Sequence, residues 1–153
     1  MSGYCCGFGH RDLYRDIKNE IQITIEHLII ENGINVFLTG GMGDFDSLFS
    51  STVQSYKVSN KEVQLILVKP YFSNELNTNK EYYENFYDDV IIPDEIAGCH
   101  YKSAITKRNK WMIEQSDIVL SGVYRDFGGA YDAIKYAQKI QKHVIDLLSI
   151  NDK

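Results

Sequence analysis

The sequence has few prolines and no long apolar run. Pro70 and Pro93 are its only prolines, and neither lies in a proline-rich or low-complexity linker. No apolar stretch approaches the roughly 18 residues that a membrane-spanning helix needs. The first ten residues lack the basic and long apolar regions of a secretory signal. We therefore expect one domain over residues 1–153, with no membrane partner.

Basic residues are fewer than acidic residues in this chain. Lysine and arginine number 16 against 21 aspartates and glutamates, which gives a formal net charge of −5. A general nucleic-acid binder normally carries a basic patch or stripe. The composition therefore predicts that nucleic acid is not a partner.

Cysteines are few, and they are spaced for neither a disulfide framework nor a zinc site. The three are Cys5, Cys6 and Cys99. An odd number in this arrangement favours a reducing cytoplasm, and we expect no metal and no cofactor. The neighbours Cys5 and Cys6 fit small buried strand residues, with a redox pair as the rarer alternative.

The chain does contain a recurring unit, in which an apolar burst and a glycine or polar turn precede a stretch with helical periodicity. The strand candidates are residues 4–8, 34–39, 63–68, 89–94, 117–122 and 143–148. A short helix is expected within residues 72–88. Strands that alternate with helices predict a Rossmann-like three-layer α/β/α sandwich with a mostly parallel central sheet.

Glycines follow several of these strands, at the sheet edge where such folds bind ligands. "GFGHRD" (7–12) and "GMGDFD" (41–46) both fit G-x-G-x-x-D. The dinucleotide fingerprint has Gly or Ala at the sixth position, and neither segment has the G-K-[ST] of a P-loop. Glycines at a helix start can still form an anion-binding nest. The alternative is a sharp turn with Asp44 or Asp46 capping the helix.

Charged residues near the glycines complete the candidate site. Arg11 and Arg108 could bind phosphate in a bidentate manner, unless they are only solvated. We expect phosphate near Arg108 and Gly128–Gly129, and ribose hydroxyls near Asp44 or Asp46. The candidate ligand-binding residues are Gly9, His10, Arg11, Gly40, Gly41, Gly43, Asp44, Asp46, Arg108, Ser121, Gly122, Gly128, Gly129 and Tyr131.

Three segments in order along the chain resemble the SLOG superfamily (the SMF/DprA–LOG group). They are "GHR" (9–11), "TGGMGDFD" (39–46) and "ITKRNKWMIEQSDIVLSGVYRDFGGAYDAIKYA" (105–137). The likeness is strongest to its small YpsA/YoqJ-like members from bacteria or phages. This resemblance implies a Rossmann-like fold that binds a nucleotide or nucleotide-derived ligand across the glycine loops.

The LOG branch of that superfamily implies a reaction, which this chain matches only in part. Its phosphoribohydrolases use R-K-x-x-M and P-G-G-x-G-T-x-x-E. Arg108 and Met112 match the first motif, in which Asn109 replaces Lys. The second motif keeps its glycine pair. Its proline, third glycine, threonine and glutamate are replaced by Phe127, Tyr131, Asp132 and Lys135. Lys135 replaces the glutamate, and a lysine cannot stabilise an oxocarbenium-like centre or activate water as a carboxylate does.

Three functions therefore remain open from the sequence. The first is binding of a nucleotide or an ADP-ribose-like ligand. The second is cleavage of a nucleotide N-glycosidic bond, with Asp44 or Asp132 as the candidate catalytic acid. The third is an oligomeric interaction protein with a vestigial site, whose tyrosine-rich "EYYENFY" (81–87) suits an interface between copies or a lid. Lys135 favours the first over the second.

Overall fold

The computed structural model describes residues 3–149, which form a parallel sheet between layers of helices. The strands are β1 (Gly3–Gly9), β2 (Ile34–Thr39), β3 (Gln64–Val68), β4 (Asp89–Ile91), β5 (Ile118–Gly122) and β6 (His143–Asp146). The helices are α1 (Lys18–Glu31), α2 (Gly43–Lys57), α3 (Glu75–Thr78), α4 (Lys80–Phe86), α5 (Tyr101–Gln115) and α6 (Gly129–Lys139).

The sheet order is β4-β3-β2-β1-β5-β6, and every neighbouring pair is parallel. The chain first builds outward from β1 to β4, then crosses over to add β5 and β6 on the other side of β1. Loops that leave β1 and β5 therefore diverge, which opens a crevice beyond their carboxyl ends. The predicted Rossmann-like three-layer α/β/α sandwich is confirmed.

Two apolar clusters hold the layers together. Helices α1 and α2 pack on one face of the sheet, and α5 and α6 pack on the other. Adjacent strand residues point to opposite faces, so Cys5 belongs to the first cluster and Cys6 to the second. Both are free and fully buried, as predicted for small strand residues. Burial raises the pKa of the Cys6 thiol to about 12, so this thiol stays protonated at neutral pH.

Some boundaries differ from the sequence predictions. Strand β4 has three residues instead of six, because it is an edge strand and Pro93, which has no N–H, follows it closely. Residues 72–88 contain two short helices rather than one. Strand β6 ends at Asp146, after which the chain turns and buries Leu147. None of the helices within residues 3–149 is long and apolar enough to cross a membrane.

Two paired glycines, which have no side chain, leave room for an aromatic ring beneath the crevice. Gly9 on β1 lies opposite Gly122 on β5. A Cβ on Gly9 would lie 2.3 Å from Cγ of Phe45, and a Cβ on Gly122 would lie 2.5 Å from its Cδ2. Phe45 is fully buried near the start of α2. Both glycines are therefore required by packing.

We expect Gly122→Ala to lower the free energy of unfolding by about 1–3 kcal/mol, because the added methyl group overlaps the Phe45 ring. Urea denaturation measures the change. The matched control is Gly98→Ala, whose Cβ meets nothing within 4 Å and should change stability by less than about 0.5 kcal/mol. In a Phe45→Leu background the loss of unfolding free energy caused by Gly122→Ala should be smaller, because the ring that the methyl group overlaps is absent. An equal cost in both backgrounds would contradict this account.

Candidate functional site

A cavity of about 390 Å³, the main cavity, opens at the carboxyl ends of β1 and β2. Helices α5 and α6 close it on one side, and the start of α2 closes it on the other. Its volume lies within the range of small-molecule sites. Its lining residues are Gly7, Phe8, Gly9, His10, Arg11, Asp12, Gly40, Met42, Asp46, Ile105, Arg108, Asn109, Arg125, Gly129 and Ala130.

Arg108 supplies a buried positive charge to the wall of the main cavity. Only 3% of the residue is exposed. Its Nη1 donates to the carbonyl oxygens of Val68, at 2.8 Å, and Gly40, at 3.3 Å. Burial lowers the pKa of Arg108, although the charge of Asp46 acts to raise it. No carboxylate of residues 3–149 lies within 4.0 Å of the guanidinium as an ion-pair partner. The site can therefore attract an anion.

The glycines after β2 shape this wall. A Cβ on Gly40 would lie 2.9 Å from Cζ of Arg108, so the guanidinium packs directly on the bare backbone. Gly43 has a φ of +90°, and its Cβ would lie 2.6 Å from Cα of Arg11. The N–H of Asp44 donates to the carbonyl oxygen of Arg11 at 2.8 Å. The turn before α2 and the loop after β1 thus pack against each other.

Asp46 is the acid that lies deepest in the site. Its Oδ2 accepts a hydrogen bond from the N–H of Met42, the N-cap residue of α2, at 2.8 Å. The side chain thus satisfies the free backbone N–H at the start of α2. Burial raises the pKa of Asp46 to about 6, although Met42 and the charge of Arg108 both act to lower it. Asp46 can therefore exchange a proton near neutral pH.

Contacts between two loops bridge the crevice at the ends of β1 and β5. Nη2 of Arg125 pairs with Oδ2 of Asp12 at 2.6 Å, and the Tyr124 hydroxyl donates to the Asp12 carbonyl oxygen at 2.7 Å. The N–H of Arg125 donates to Nε2 of His10 at 3.1 Å. Burial, and then the charge of Arg125, lower the pKa of His10, which favours the neutral ring that this bond requires. His10 therefore joins the two loops.

The start of α6 forms the remaining wall. Gly128, the N-cap residue, has a φ of +100°, which glycine adopts without strain. A Cβ on Gly129 would meet nothing within 4 Å, and Gly129 lines the main cavity. The first N–H groups of a helix have no intrahelical partner and favour negative charge. An anion in the cavity can thus face both Arg108 and the α6 N-terminus.

The structure brings together half of the predicted ligand-binding residues in the main cavity. These are Gly9, His10, Arg11, Gly40, Asp46, Arg108 and Gly129. Gly41 lines a neighbouring cavity. Those outside the linings of both are Gly43, Asp44, Ser121, Gly122, Gly128 and Tyr131. The binding role of each residue stays a prediction.

The two candidate catalytic acids lie apart from the main cavity. Asp44 is exposed, and its Oδ2 accepts from the N–H of Leu13 at 3.4 Å. Asp132 lines a recess of about 50 Å³ beside Gly129. Lys135, at the position of the LOG glutamate, is exposed and has its Nζ 5.9 Å from the centre of the Tyr131 ring. The acids that line the main cavity are Asp46 and Asp12.

Sequence reasoning missed several lining residues, among them Asp12, Met42, Asn109 and Arg125. Arg125 stands three residues before the Gly128–Gly129 pair, which is the one local signal that could have found it. Its pairing with Asp12 spans 113 residues of sequence and follows only from the sheet order. Within residues 3–149, no three His, Cys, Asp or Glu side chains are grouped as metal ligands would be.

Asp46→Asn tests the raised pKa of Asp46. A carboxyl whose pKa rises on folding from 3.8 to about 6 favours the folded state when protonated, and this contribution is lost as pH rises through about 6. The amide cannot ionise and can still accept from Met42. The variant should therefore gain stability relative to the parent as pH rises from about 4 to about 6, by on the order of 3 kcal/mol, with no further gain above that range. Chemical denaturation at several pH values measures the difference, and a difference independent of pH would refute the raised pKa.

The sequence matches no protein-family model and no curated protein. Similar solved structures exist. DNA processing protein A (DprA) from Streptococcus pneumoniae has a TM-score of 0.66 at 15% identity, over 95% of this chain and 50% of its own. DprA from Helicobacter pylori, described with its single-stranded DNA binding mode, has a TM-score of 0.64 at 20% identity, over 94% of this chain and 64% of its own. The molybdenum cofactor binding protein from Rippkaea orientalis has a TM-score of 0.58 at 20% identity, over 95% of this chain and 76% of its own.

These similarities correct one expectation drawn from charge. The exclusion of nucleic acid as a partner is wrong, because H. pylori DprA has this fold and binds single-stranded DNA. Net charge averages over the whole surface, whereas binding depends on the local field, and three arginines line the main cavity: Arg11, Arg108 and Arg125.

The comparisons agree on the fold. This chain spans half the length of S. pneumoniae DprA and 64% of H. pylori DprA, so it corresponds to a part of each. The narrower YpsA/YoqJ-like placement stays a prediction. The chain has a Rossmann-like fold that it shares with DprA and with the R. orientalis protein, in agreement with the resemblance to the SLOG superfamily.

Proposed function

We propose that this protein binds a nucleotide or a nucleotide-derived ligand in the main cavity, with a phosphate group against Arg108. The observation that carries the proposal is the buried guanidinium of Arg108, which lacks a carboxylate partner among the described side chains. Burying a charge costs free energy unless it is paired. A bound phosphate would provide the counter-charge.

The other walls suit the rest of such a ligand. The open backbone at Gly129 lets an anion approach the N-terminus of α6 closely. Arg11 lines the opposite side of the cavity and adds a second positive charge. The Asp46 carboxyl lies beside Arg108, where it can accept hydrogen bonds from ribose hydroxyls. Phosphate and ribose groups thus have complementary partners within one cavity.

The solved structures with this fold support ligand binding. H. pylori DprA binds single-stranded DNA, and the R. orientalis protein binds the molybdenum cofactor. The proposed ligand class therefore includes a free nucleotide and a nucleotide unit of single-stranded nucleic acid. We also propose that residues 1–153 form one domain that acts in the cytoplasm.

We expect Gly129→Val to weaken nucleotide binding at least about tenfold while leaving the fold intact. The valine side chain would extend into space that is open beside Gly129, where the proposed phosphate lies. Calorimetric titration with nucleoside 5′-monophosphates, ADP-ribose and short single-stranded DNA measures affinity, and circular dichroism checks folding. Gly98→Val is the matched control, because its Cβ also meets nothing within 4 Å and it lines neither cavity.

The ligand series separates the outcomes. Binding of DNA but not of free nucleotides would assign the cavity to a strand, and the reverse would assign it to a small molecule. Equal nucleotide affinities of Gly129→Val and the parent would show that the N-terminus of α6 is not part of the binding site. Failure of every phosphate-bearing ligand to bind the parent would contradict the proposal.

Hydrolysis of the nucleotide N-glycosidic bond is the second candidate function, and the pKa of Asp46 favours it. With a pKa of about 6, Asp46 is present in both protonation states near neutral pH, as a general acid or base must be. It also lines the cavity, which Asp44 does not. In this candidate function Asp46 is the catalytic acid or base, in place of the predicted Asp44 or Asp132.

If the protein is such a hydrolase, the parent should release free base from a bound nucleoside 5′-monophosphate. Asp46→Asn should slow release at least about 100-fold while binding is retained, because only the proton transfer is removed. Chromatography of the reaction mixture detects the base. Asp44→Asn and Asp132→Asn serve as controls and should remain active. Loss of activity in either control would restore that residue as the catalytic acid, and binding without release would leave a binding protein.

A further inference from the structure

A second cavity of about 280 Å³ adjoins the main cavity. Gly40 and Asp46 line both, so they form the boundary between them. The walls of the second cavity come from α2, from the end of β3 and from α4. A ligand bound at Arg108 that extends past Gly40 would therefore enter it.

Aromatic rings form one wall of the second cavity. Tyr82 stacks on Phe86 with ring centres 5.7 Å apart and planes 16° apart. Tyr83 stacks on Tyr87 at 6.1 Å and 19°. These four rings all line the cavity and belong to α4 or follow it directly. Flat aromatic walls favour a planar ring over a flexible aliphatic chain, because stacking requires a π-face.

The polar groups of the second cavity select a neutral ligand group. Its one lysine, Lys69, is paired with Glu75 at 3.1 Å, and this carboxylate also accepts from the Ser73 hydroxyl at 3.4 Å. The pair leaves no free cation among the residues that line this cavity. A second phosphate therefore has no counter-charge here, in contrast to the main cavity.

One buried hydroxyl in the second cavity lacks a partner. Ser50 on α2 is only 3% exposed, and its Oγ has no hydrogen-bond partner among the side chains and backbone that the structure describes. The Tyr87 hydroxyl lies near enough for Ser50 to act to lower the pKa of Tyr87, although the two hydroxyls do not meet hydrogen-bond geometry. An unsatisfied buried hydroxyl costs free energy, which a ligand with ring nitrogens or a carbonyl group would recover.

The hydroxyl of Tyr87 provides a further donor. Burial, and then the neighbouring Tyr82 and Tyr83, raise the pKa of Tyr87 to about 12, so the hydroxyl keeps its proton at neutral pH. It lies near the boundary, 3.7 Å from the position that a Cβ on Gly41 would take. Serine and tyrosine hydroxyls both donate and accept, so this phenol can donate to a ring nitrogen or carbonyl oxygen.

We propose that the second cavity is the nucleobase subsite of the ligand whose phosphate lies at Arg108. The inference rests on the proposed function and specifies its ligand class as a nucleoside phosphate with a planar base. The base lies along the α4 aromatic wall and bonds to Ser50. Its ribose crosses the boundary at Gly40 and Asp46, and its phosphate reaches Arg108.

The test compares ribose 5-phosphate with AMP, GMP, CMP and UMP by calorimetric titration. At least one nucleotide should bind the parent at least about tenfold more tightly than ribose 5-phosphate, because only the nucleotides place a ring in the second cavity. Ser50→Ala should weaken binding of that nucleotide about fivefold or more and leave ribose 5-phosphate unchanged. Ser50→Leu, which fills the cavity, should bring both affinities to the same value.

Ser51→Ala and Ser51→Leu are the matched controls, because Ser51 is exposed on the same helix and lines neither cavity. They should bind as the parent does. If Ser50→Leu does not fold, as judged by circular dichroism, the Ser50→Ala comparison decides. Equal binding of ribose 5-phosphate and all four nucleotides to the parent would overturn the nucleobase subsite and leave the proposed function standing. Binding of none of the five would contradict both.

Discussion

The site depends on one buried positive charge. Arg108 reaches from α5 across the sheet edge and donates to Val68 and Gly40, at the ends of two adjacent strands. The same hydrogen bonds that satisfy the guanidinium hold the β2 and β3 loops in place. They do not neutralise its charge, because carbonyl oxygens carry only partial negative charge. Under the proposed function, an anion bound at Arg108 would recover part of the free energy that burial of the cation costs.

The two acids that follow the glycine loop point in different directions. Asp44 turns outward to the loop after β1, while Asp46 turns inward and is engaged by the N–H of Met42. Burial raises the pKa of Asp46 to about 6, so its negative charge is suppressed only below about that pH. Glycine in this region serves packing as much as ligand approach, since Gly40 makes room for Arg108 and Gly122 makes room for Phe45.

Much of the fold could be predicted because its signals are local. Apolar bursts and helical periodicity each arise within about ten residues, so the alternation of strands and helices follows from the sequence alone. The site was predicted less completely. Gly129 and Arg108 were found through their motifs, whereas Asp12 and Arg125 were missed because they meet only when β1 and β5 become neighbours. The exclusion of nucleic acid failed because composition contains no information on where charges cluster.

By itself the sequence determined the layered α/β architecture and the edge of the sheet at which the glycines gather, since both follow from periodicity and from turn chemistry. Only the tertiary structure decided which acids enter the site, which glycines serve packing, and that a second aromatic cavity adjoins the first. The physical reason is distance along the chain. Burial and ion pairing depend on neighbours that lie tens of residues away in sequence, and the sheet order brings those neighbours together.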